Sequence, residues 1–215
     1  MKPRIGSWLP LLFMFCLAAI LWTKVALAGA PGREPGHDHD FTVTSSTFKD
    51  GATLPLSTIY ADSSCTYNGA IGGDMSPELS WRNAPRGTRS FVVVLYDVTA
   101  SFTHWGMYNI SGNVNRLPAN AGVASSSYGK QVSNDFGDLS YDGPCPPMTL
   151  TPYVHQYVFT VYALDTTMPT IPTYGDFSPG AEALYHAMLR AGREGHILAS
   201  ASITSYYAST APPGN

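Results

Sequence analysis

Asp and His, two residue types that commonly carry binding or acid–base chemistry, fall at the ends of predicted strands. Asp97 ends the apolar run Ser90–Asp97, and His104 opens the next run, residues 104–110. An Asp that ends one strand and a His that opens the next can meet at one edge of a sheet. A carboxylate beside an imidazole fixes its tautomer and favours its protonated form, which can bind an anion. The pair predicts either a small anion site or a structural polar network.

A Gly-Pro-rich segment and a second histidine follow further along the chain. Residues 143–147 read Gly-Pro-Cys-Pro-Pro, and His155-Gln156-Tyr157 leads into another predicted strand. A loop of this composition can bring backbone N–H groups near a ligand, although proline itself has none to give. These residues extend the candidate site beyond the first Asp and His.

Four segments, in this order along the chain, carry a resemblance to a known family. They are Ser76-Pro77-Glu78-Leu79-Ser80-Trp81, His104-Trp105, Gly143-Pro144-Cys145-Pro146-Pro147 and His155-Gln156-Tyr157. Together they resemble the phosphatidylethanolamine-binding protein (PEBP) family, and most closely its bacterial YbhB/YbcL branch, also called Raf kinase inhibitor-like. The resemblance covers residues 41–207.

The resemblance implies a mostly β protein, a PEBP-like β-sandwich with a few peripheral helices, and a small pocket for phosphate, acetate or a phospholipid headgroup. Asp97 would orient an imidazole, and the two histidines would donate to the anion. The implied pocket residues are Asp97, His104, Gly143, Pro144, Pro146 and His155, with Tyr157 nearby. Trp81 and Trp105 are predicted to be packing groups. Thr99 stands where the family usually has a second Asp, which leaves the ligand preference open.

Composition and periodicity independently predict a β-rich domain. The chain contains 20 Gly and 17 Pro without a fixed period, which indicates many turns. Strands are predicted at 41–45, 90–97, 104–110, 157–164 and 196–207, and one helix at 180–191, ending before Gly192. The connections 61–88 and 111–153 are long for a compact domain, and loops of that length are usually functional.

The first residues have the layout of a signal peptide. Lys2 and Arg4 precede an uncharged stretch at 9–22, which is short for a membrane span, and Ala26-Leu27-Ala28 fits a cleavage site. We predict a signal peptide at 1–28, a flexible lead-in at 29–40 and the PEBP-like domain at 41–215. The alternative is an uncleaved N-terminal anchor. The predicted location is periplasmic or secreted.

Removal of the signal would leave an acidic domain with two cysteines. Three of the 12 basic residues lie in the signal, so 9 basic and 15 acidic residues remain, a net charge of −6, which does not favour nucleic acid as a partner. Cys16 would leave with the signal. In an oxidising compartment Cys65 and Cys145 are predicted to form a disulfide; the alternative is two buried free thiols.

The standard nucleotide, zinc and hydrolase motifs are absent from the sequence, and no metal or cofactor is predicted. The tract His37-Asp38-His39-Asp40 has metal-binding residue types, but a soluble linker is the favoured interpretation because no rigid partner accompanies it. Asn109-Ile110-Ser111 matches a glycosylation sequon, yet it ends a buried strand, which favours a structural asparagine.

Three functions remain open at this point. The leading hypothesis is an exported binding protein for a small anionic ligand of the phosphate or phospholipid-headgroup type. The second is an interaction protein that inhibits a periplasmic or extracellular partner enzyme through the loop 111–153. The third is an enzyme that uses His104 or His155 with Asp97 for acid–base chemistry. Since no nucleophile motif accompanies these residues, we predict that the protein is not an enzyme.

Overall fold

The computed structural model describes residues 40–63, 65–67, 69–147, 153–172 and 179–209. The predicted signal peptide, the lead-in before Asp40 and the tract at 37–39 lie outside the described residues.

The described residues form eleven strands, one α-helix and one short 3-10 helix. In chain order they are β1 (Thr42–Thr44), β2 (Ala52–Thr53), the 3-10 helix (Leu56–Thr58), β3 (Thr66–Tyr67), β4 (Ala70–Ile71), β5 (Leu79–Arg82), β6 (Ser90–Asp97), β7 (Phe102–Ser111), β8 (Arg116–Leu117), β9 (Lys130–Gln131), β10 (His155–Leu164), α1 (Pro179–Arg193) and β11 (Ile197–Tyr207). The five predicted strands and the predicted helix are all present, with bounds shifted by one or two residues.

A six-stranded sheet in the order β2-β11-β10-β6-β7-β9 forms the centre of the domain. All neighbours are antiparallel except β2, which runs parallel to β11. The long strands form where β-branched and aromatic residues are dense, as in β6 and β10, because such side chains pack well on a pleated surface. In the β6–β10 register Leu95 lies opposite Phe159 and Val93 opposite Val161, and all four side chains are buried.

A three-stranded sheet, β1-β5-β8, packs against one face of the central sheet and completes the sandwich. Trp81 on β5 contacts Phe91 on β6, with ring centroids 5.1 Å apart, and its Nε1–H donates to Val114 O. Trp81 and Trp105 are both buried, as predicted. The mostly β sandwich expected from the sequence is confirmed. The described residues contain one α-helix, whereas a few peripheral helices were expected.

Glu78 explains why the Ser-Pro-Glu-Leu-Ser-Trp segment is structural. Its buried carboxylate accepts from Ser46 N (2.7 Å), Ser46 Oγ (2.9 Å) and Arg116 Nε (3.0 Å), and also from Ser80 Oγ. Burial alone would raise the pKa of Glu78, but these hydrogen bonds outweigh it and lower the pKa below its usual value. The segment therefore joins the end of β1 to β5 and β8.

Helix α1 covers the opposite face of the central sheet. Leu184 and Ala191 are buried in a cluster with Val92, Tyr108 and Leu164. Glu182 in the first turn and two arginines in the last match the helix dipole. In the described segments, no helix combines the length and apolar character needed to cross a bilayer.

Two bulges interrupt the pairing of β6 with β7. At the first, Asn109 has a φ of 55°, and its side chain bonds both backbone groups of Met168, at 2.9 and 2.7 Å. These contacts agree with the structural interpretation of the sequon. At the second, Thr103 pairs with Tyr96 and Trp105 pairs with Leu95, which leaves His104 between paired positions. A bulge of this kind redirects a side chain.

Candidate functional site

The register of β6 and β10 brings three predicted site residues together. Asp97 at the end of β6 lies opposite Tyr157, and His155 precedes Tyr157 by two residues, so its side chain projects from the same face. His155 Nδ1 lies 2.6 Å from Asp97 Oδ2, and both side chains are buried. The imidazole that Asp97 orients is therefore His155, because strand pairing opposes β10 to this end of β6.

Both carboxylate oxygens of Asp97 accept hydrogen bonds, one from the turn that follows β6 and the other from His155. Its Oδ1 accepts the N–H groups of Thr99 (2.8 Å) and Ala100 (3.0 Å), while its Oδ2 accepts from His155. The carboxylate can only accept, so Nδ1 of His155 carries a hydrogen and Nε2 faces away from Asp97. Thr99 Oγ1 in turn accepts the N–H of Gln156 at 3.0 Å. Thr99 thus ties the turn to β10.

His104 is held by the backbone of the loop that precedes the Gly-Pro segment. Its Nδ1 donates to Asp142 O at 2.9 Å, and the N–H of Asp142 donates back to His104 O at 3.2 Å. Burial lowers the pKa of His104, an effect that the hydrogen bond to Asp142 and the charge of Asp97 offset only in part. The expected meeting of Asp97 and His104 as partners is not seen, because the bulge directs His104 to Asp142.

Tyr157 lies between the two imidazoles with an unsatisfied hydroxyl. Its ring centroid is 5.4 Å from that of His104 and 6.4 Å from that of His155. The hydroxyl is buried and makes no hydrogen bond of normal distance and angle, although it lies close enough to the Asp97 carboxylate to interact with it. Burial, followed by the negative charge of Asp97, raises the pKa of Tyr157, so the phenol stays protonated. Nor does either histidine Nε2 have a hydrogen-bond partner among the described residues.

Aromatic side chains line one side of His104. The ring centroids of Phe102 and Phe136 lie 5.0 and 5.7 Å from that of His104, and Phe136 stacks on Tyr60 at 6.0 Å. Phe136 is 52% exposed, so this wall reaches the surface. Sequence reasoning did not assign these residues, because each belongs to a different segment.

Asn134 organises the loop that holds His104. Its side-chain oxygen accepts the N–H groups of Phe136 (2.9 Å) and Asp138 (3.0 Å). Its amide nitrogen donates to His104 O at 3.3 Å and to Asp142 Oδ2. Hydrogen bonds from an Asn side chain to nearby backbone groups are typical of a residue that stabilises a turn. Asn134 and Asp142 are therefore positioning residues that support His104.

The Gly-Pro-Cys-Pro-Pro segment packs against residues that follow the 3-10 helix. The N–H of Gly143 donates to Asp74 Oδ1 at 2.7 Å, so it is already engaged and is not free for an anion. A Cβ at position 143 would clash with backbone atoms of Thr58 and Tyr60, which explains the glycine. Pro144 O accepts from Tyr60 N at 3.2 Å. Pro146 is buried, but no described hydrogen bond or ring contact joins it to either histidine.

A disulfide joins Cys65 to Cys145 in the same segment, with Cα atoms 5.2 Å apart. Cys65 is fully buried and belongs to the sandwich core. The bond connects the chain after the 3-10 helix to the residues that follow Asp142. In the described residues, no group of three or more His, Cys, Asp or Glu side chains is arranged to hold a metal ion.

A separate groove of about 650 Å³ lies on the other face of the central sheet, between its exposed side chains and α1. Val94, Tyr96, Tyr162 and Tyr185 contribute to its walls. None of the predicted site residues lines it, so the histidine cluster and this groove are distinct features.

Asp142 gives the site a measurable dependence on pH. Burial, helped by the charges of Asp74 and Asp138, raises the pKa of Asp142 to about 6 despite the hydrogen bond from Asn134. An unfolded Asp has a pKa of about 3.9, so the folded state binds the proton more tightly between these values. This group therefore stabilises the fold at low pH, and that contribution is lost as the pH rises through about 6.

Replacing Asp142 with Asn is expected to remove this dependence. The amide oxygen can still accept from Asn134, and no charge is buried at neutral pH. The variant should be about 1 kcal/mol more stable than the wild type at pH 7.5, after allowance for solvent screening, and equally stable near pH 4. Urea unfolding at both pH values measures the difference. An equal difference at both would contradict the assignment.

Residues 44–208 match the family profile of the phosphatidylethanolamine-binding proteins, over most of the chain. The chain belongs to the phosphatidylethanolamine-binding protein family. Two curated PEBP-like relatives are Escherichia coli proteins of strain K12. YbcL is 35% identical over 175 residues, covering 78% of this chain and 87% of YbcL. YbhB is 35% identical over 170 residues, covering 76% of this chain and 97% of YbhB.

Solved structures show the same PEBP fold. The crystal structure of E. coli YbcL, described as a member of the mammalian PEBP family, has a TM-score of 0.64 at 32% identity, and the match covers 80% of this chain and all of YbcL. A PEBP homologue from Chlamydia trachomatis has a TM-score of 0.60 at 27% identity, covering 80% of this chain and 99% of that protein. The fold brings together Asp97, His104, His155 and Tyr157, four of the residues that the sequence analysis placed in or near the pocket.

Proposed function

We propose that this PEBP family member is an exported binding protein for a small anionic ligand of the phosphate type. Asp97, His104, His155 and Tyr157 would form the pocket. The observation that carries the proposal is the Tyr157 hydroxyl, which is buried beside two imidazoles and makes no hydrogen bond of normal geometry. A buried hydroxyl that makes no hydrogen bond costs about 1–3 kcal/mol, and a bound acceptor would remove that cost.

The charge balance of the pocket supports an anion. The Asp97 carboxylate accepts from His155 Nδ1, and its remaining oxygen is already engaged by two backbone N–H groups. A carboxylate partner favours the form of an imidazole that has both hydrogens, and Nε2–H of that form can donate to a ligand oxygen. Tyr157 adds a second donor. A binding role is preferred to catalysis because the described partners of the imidazoles are a carboxylate and a carbonyl, not a nucleophile to activate.

Export is the second part of the proposal. It rests on the basic start, the short apolar stretch and the Ala26-Leu27-Ala28 site. The disulfide between Cys65 and Cys145 supports it, because such bonds persist in oxidising compartments. N-terminal sequencing of the periplasmic and extracellular fractions tests it. A chain that retains Met1 and sediments with membranes would contradict the cleaved signal.

Replacing Tyr157 with Phe is expected to separate ligand binding from stability. The change removes only a hydroxyl that makes no hydrogen bond of normal geometry in the free protein, so the free energy of unfolding should stay constant or rise. The affinity for phosphoethanolamine should fall about 10- to 100-fold, the value of a hydrogen bond to a charged group. Isothermal titration calorimetry and urea unfolding measure the two quantities.

Tyr141 provides a matched control. It is equally buried, but its hydroxyl donates to Thr58 O at 2.7 Å. Tyr141→Phe should therefore lose about 1 kcal/mol of stability while the affinity changes less than about twofold. Unchanged affinity in Tyr157→Phe would refute the pocket. So would a loss of affinity of the same size in both variants.

A further inference from the structure

The two histidines of the pocket are held by partners of different charge. His155 Nδ1 donates to the carboxylate of Asp97 at 2.6 Å, whereas His104 Nδ1 donates to the backbone carbonyl of Asp142 at 2.9 Å. A carboxylate compensates the charge of an imidazolium, but a carbonyl does not. Because a carbonyl can only accept, the hydrogen of neutral His104 is fixed on Nδ1 and its Nε2 presents a lone pair.

The surroundings of His104 keep it neutral. It is buried against the rings of Phe102, Phe136 and Tyr157. The charged groups that act on it are Asp97, Asp135 and His155, and burial outweighs the two carboxylates and lowers its pKa. Asp135 is partly engaged elsewhere, since its Oδ2 accepts the N–H of Thr103 at 2.6 Å. The pocket thus contains one imidazole that can carry charge and one that accepts a hydrogen.

We propose that this pocket selects anions that carry a proton, namely phosphomonoester monoanions and hydrogen phosphate, over sulfate and phosphodiesters. The inference rests on the proposed function and names the ligand class for the same site. The P–OH group of the ligand donates to His104 Nε2. The charged oxygens accept from Tyr157 Oη–H and from Nε2–H of protonated His155.

Unprotonated anions are disfavoured for a physical reason. A sulfate or phosphodiester oxygen placed at His104 would direct its lone pairs at the lone pair of Nε2, on a side chain that is itself buried against aromatic rings. A buried acceptor left without a donor costs about 1–3 kcal/mol, which corresponds to about 10- to 100-fold in affinity. An intact phospholipid is a phosphodiester, whereas its free headgroup, phosphoethanolamine, is a monoester. The pocket therefore fits the free headgroup chemistry better than the lipid.

The test is calorimetric titration of the disulfide-intact mature protein with four probes at constant ionic strength. The probes are phosphoethanolamine, inorganic phosphate, sulfate and glycerophosphoethanolamine, the last being the diester of the same headgroup. At pH 6, phosphoethanolamine and phosphate should bind at least about 10-fold more tightly than sulfate and the diester. The second proton of a phosphomonoester leaves with a pKa of about 6. The ratio of monoester to diester affinity should therefore fall between pH 6 and 8. A change with pH in the general attraction of the pocket for anions would weaken all four probes together and leave that ratio unchanged.

Two variants test which histidine determines the selectivity among anions. His104→Gln introduces an amide N–H that can donate to unprotonated anions, so the affinity for sulfate relative to phosphate should rise about 10-fold. The matched change His155→Gln should weaken both anions alike. Equal wild-type affinity for monoester, diester and sulfate would overturn the inference and leave the anion-binding function intact. Absence of binding by all four probes at millimolar concentration would overturn both.

Discussion

Replacing Asp97 with Asn is expected to weaken the binding of phosphoethanolamine by about 30- to 100-fold. The amide oxygen of Asn can still accept the N–H groups of Thr99 and Ala100. Its NH₂ group then faces Nδ1–H of His155, a donor against a donor, where the wild type has a 2.6 Å hydrogen bond. The imidazole must then keep its single hydrogen on Nε2, because Nδ1 has to accept from the amide, and no carboxylate remains to favour the charged form. The ligand therefore meets a neutral N–H donor in place of a charge-assisted one.

The chain offers a matched control in a second Asp–His pair. His196 Nδ1 lies 2.8 Å from Asp165 Oδ1, at the other end of β10, and both side chains are half-exposed. Asp165→Asn removes the same kind of pair, so the affinity for phosphoethanolamine should not change. Nitrogen chemical shifts of His155 in Asp97→Asn report the tautomer directly. Wild-type affinity in Asp97→Asn, with the tautomer reversed, would show that the buried pair is a structural polar network.

The long elements of the fold could be predicted because each carries its own pattern. The run Ser90–Asp97 is dense in β-branched residues, and Gly192 lies where the helical pattern should end. The two-residue strands β2, β8 and β9 could not be predicted, because two residues show no periodicity. Each of these strands exists through its partner: β8, for example, pairs with Leu79 and Ser80 on β5.

The candidate site, like the fold, has a part that could be predicted from the sequence and a part that could not. The residue types Asp97, His104, His155 and Tyr157 could be identified from their segments, but their partners could not. Asp97 meets His155 because β6 and β10 pair across 58 residues of sequence, and that register is a property of the sheet. The sequence alone shows only that Asp97 is close to His104 along the chain. The bulge in β7 then directs His104 to Asp142 instead.

The supporting loop was the least predictable part of the site. Asn134 holds the loop through bonds to the backbone of Phe136 and Asp138, and Asp142 acts on His104 through its carbonyl oxygen. Every residue has a backbone carbonyl, so no sequence pattern could reveal which carbonyl orients His104. The same holds for Gly143: its N–H was expected near an anion, but Asp74, from a distant segment, accepts it.

Removing the Cys65–Cys145 disulfide is expected to have the largest effect on stability. The bond closes a loop between residues separated by 80 positions. In the chain-entropy account, this cross-link reduces the entropy of the unfolded chain and so stabilises the folded state by about 4–5 kcal/mol. That is a large part of the roughly 5–15 kcal/mol that stabilises a typical domain. The variant Cys65→Ser/Cys145→Ser should therefore melt about 10–15 °C lower than the wild type.

The disulfide should also affect the pocket, because Cys145 follows Asp142 by three residues and the carbonyl of Asp142 orients His104. Without the bond, this segment keeps the hydrogen bonds of Gly143 and Pro144 to Asp74 and Tyr60, so binding should weaken less than stability does. Thermal unfolding and phosphoethanolamine titration with and without reductant measure both effects. The double-serine variant is the control, since reductant should change nothing in it. If both cysteines of the non-reduced wild type are alkylated, or if reductant leaves its melting temperature unchanged, the covalent link is not what stabilises this loop. Asp142 and His104 would then be held by hydrogen bonds and packing alone.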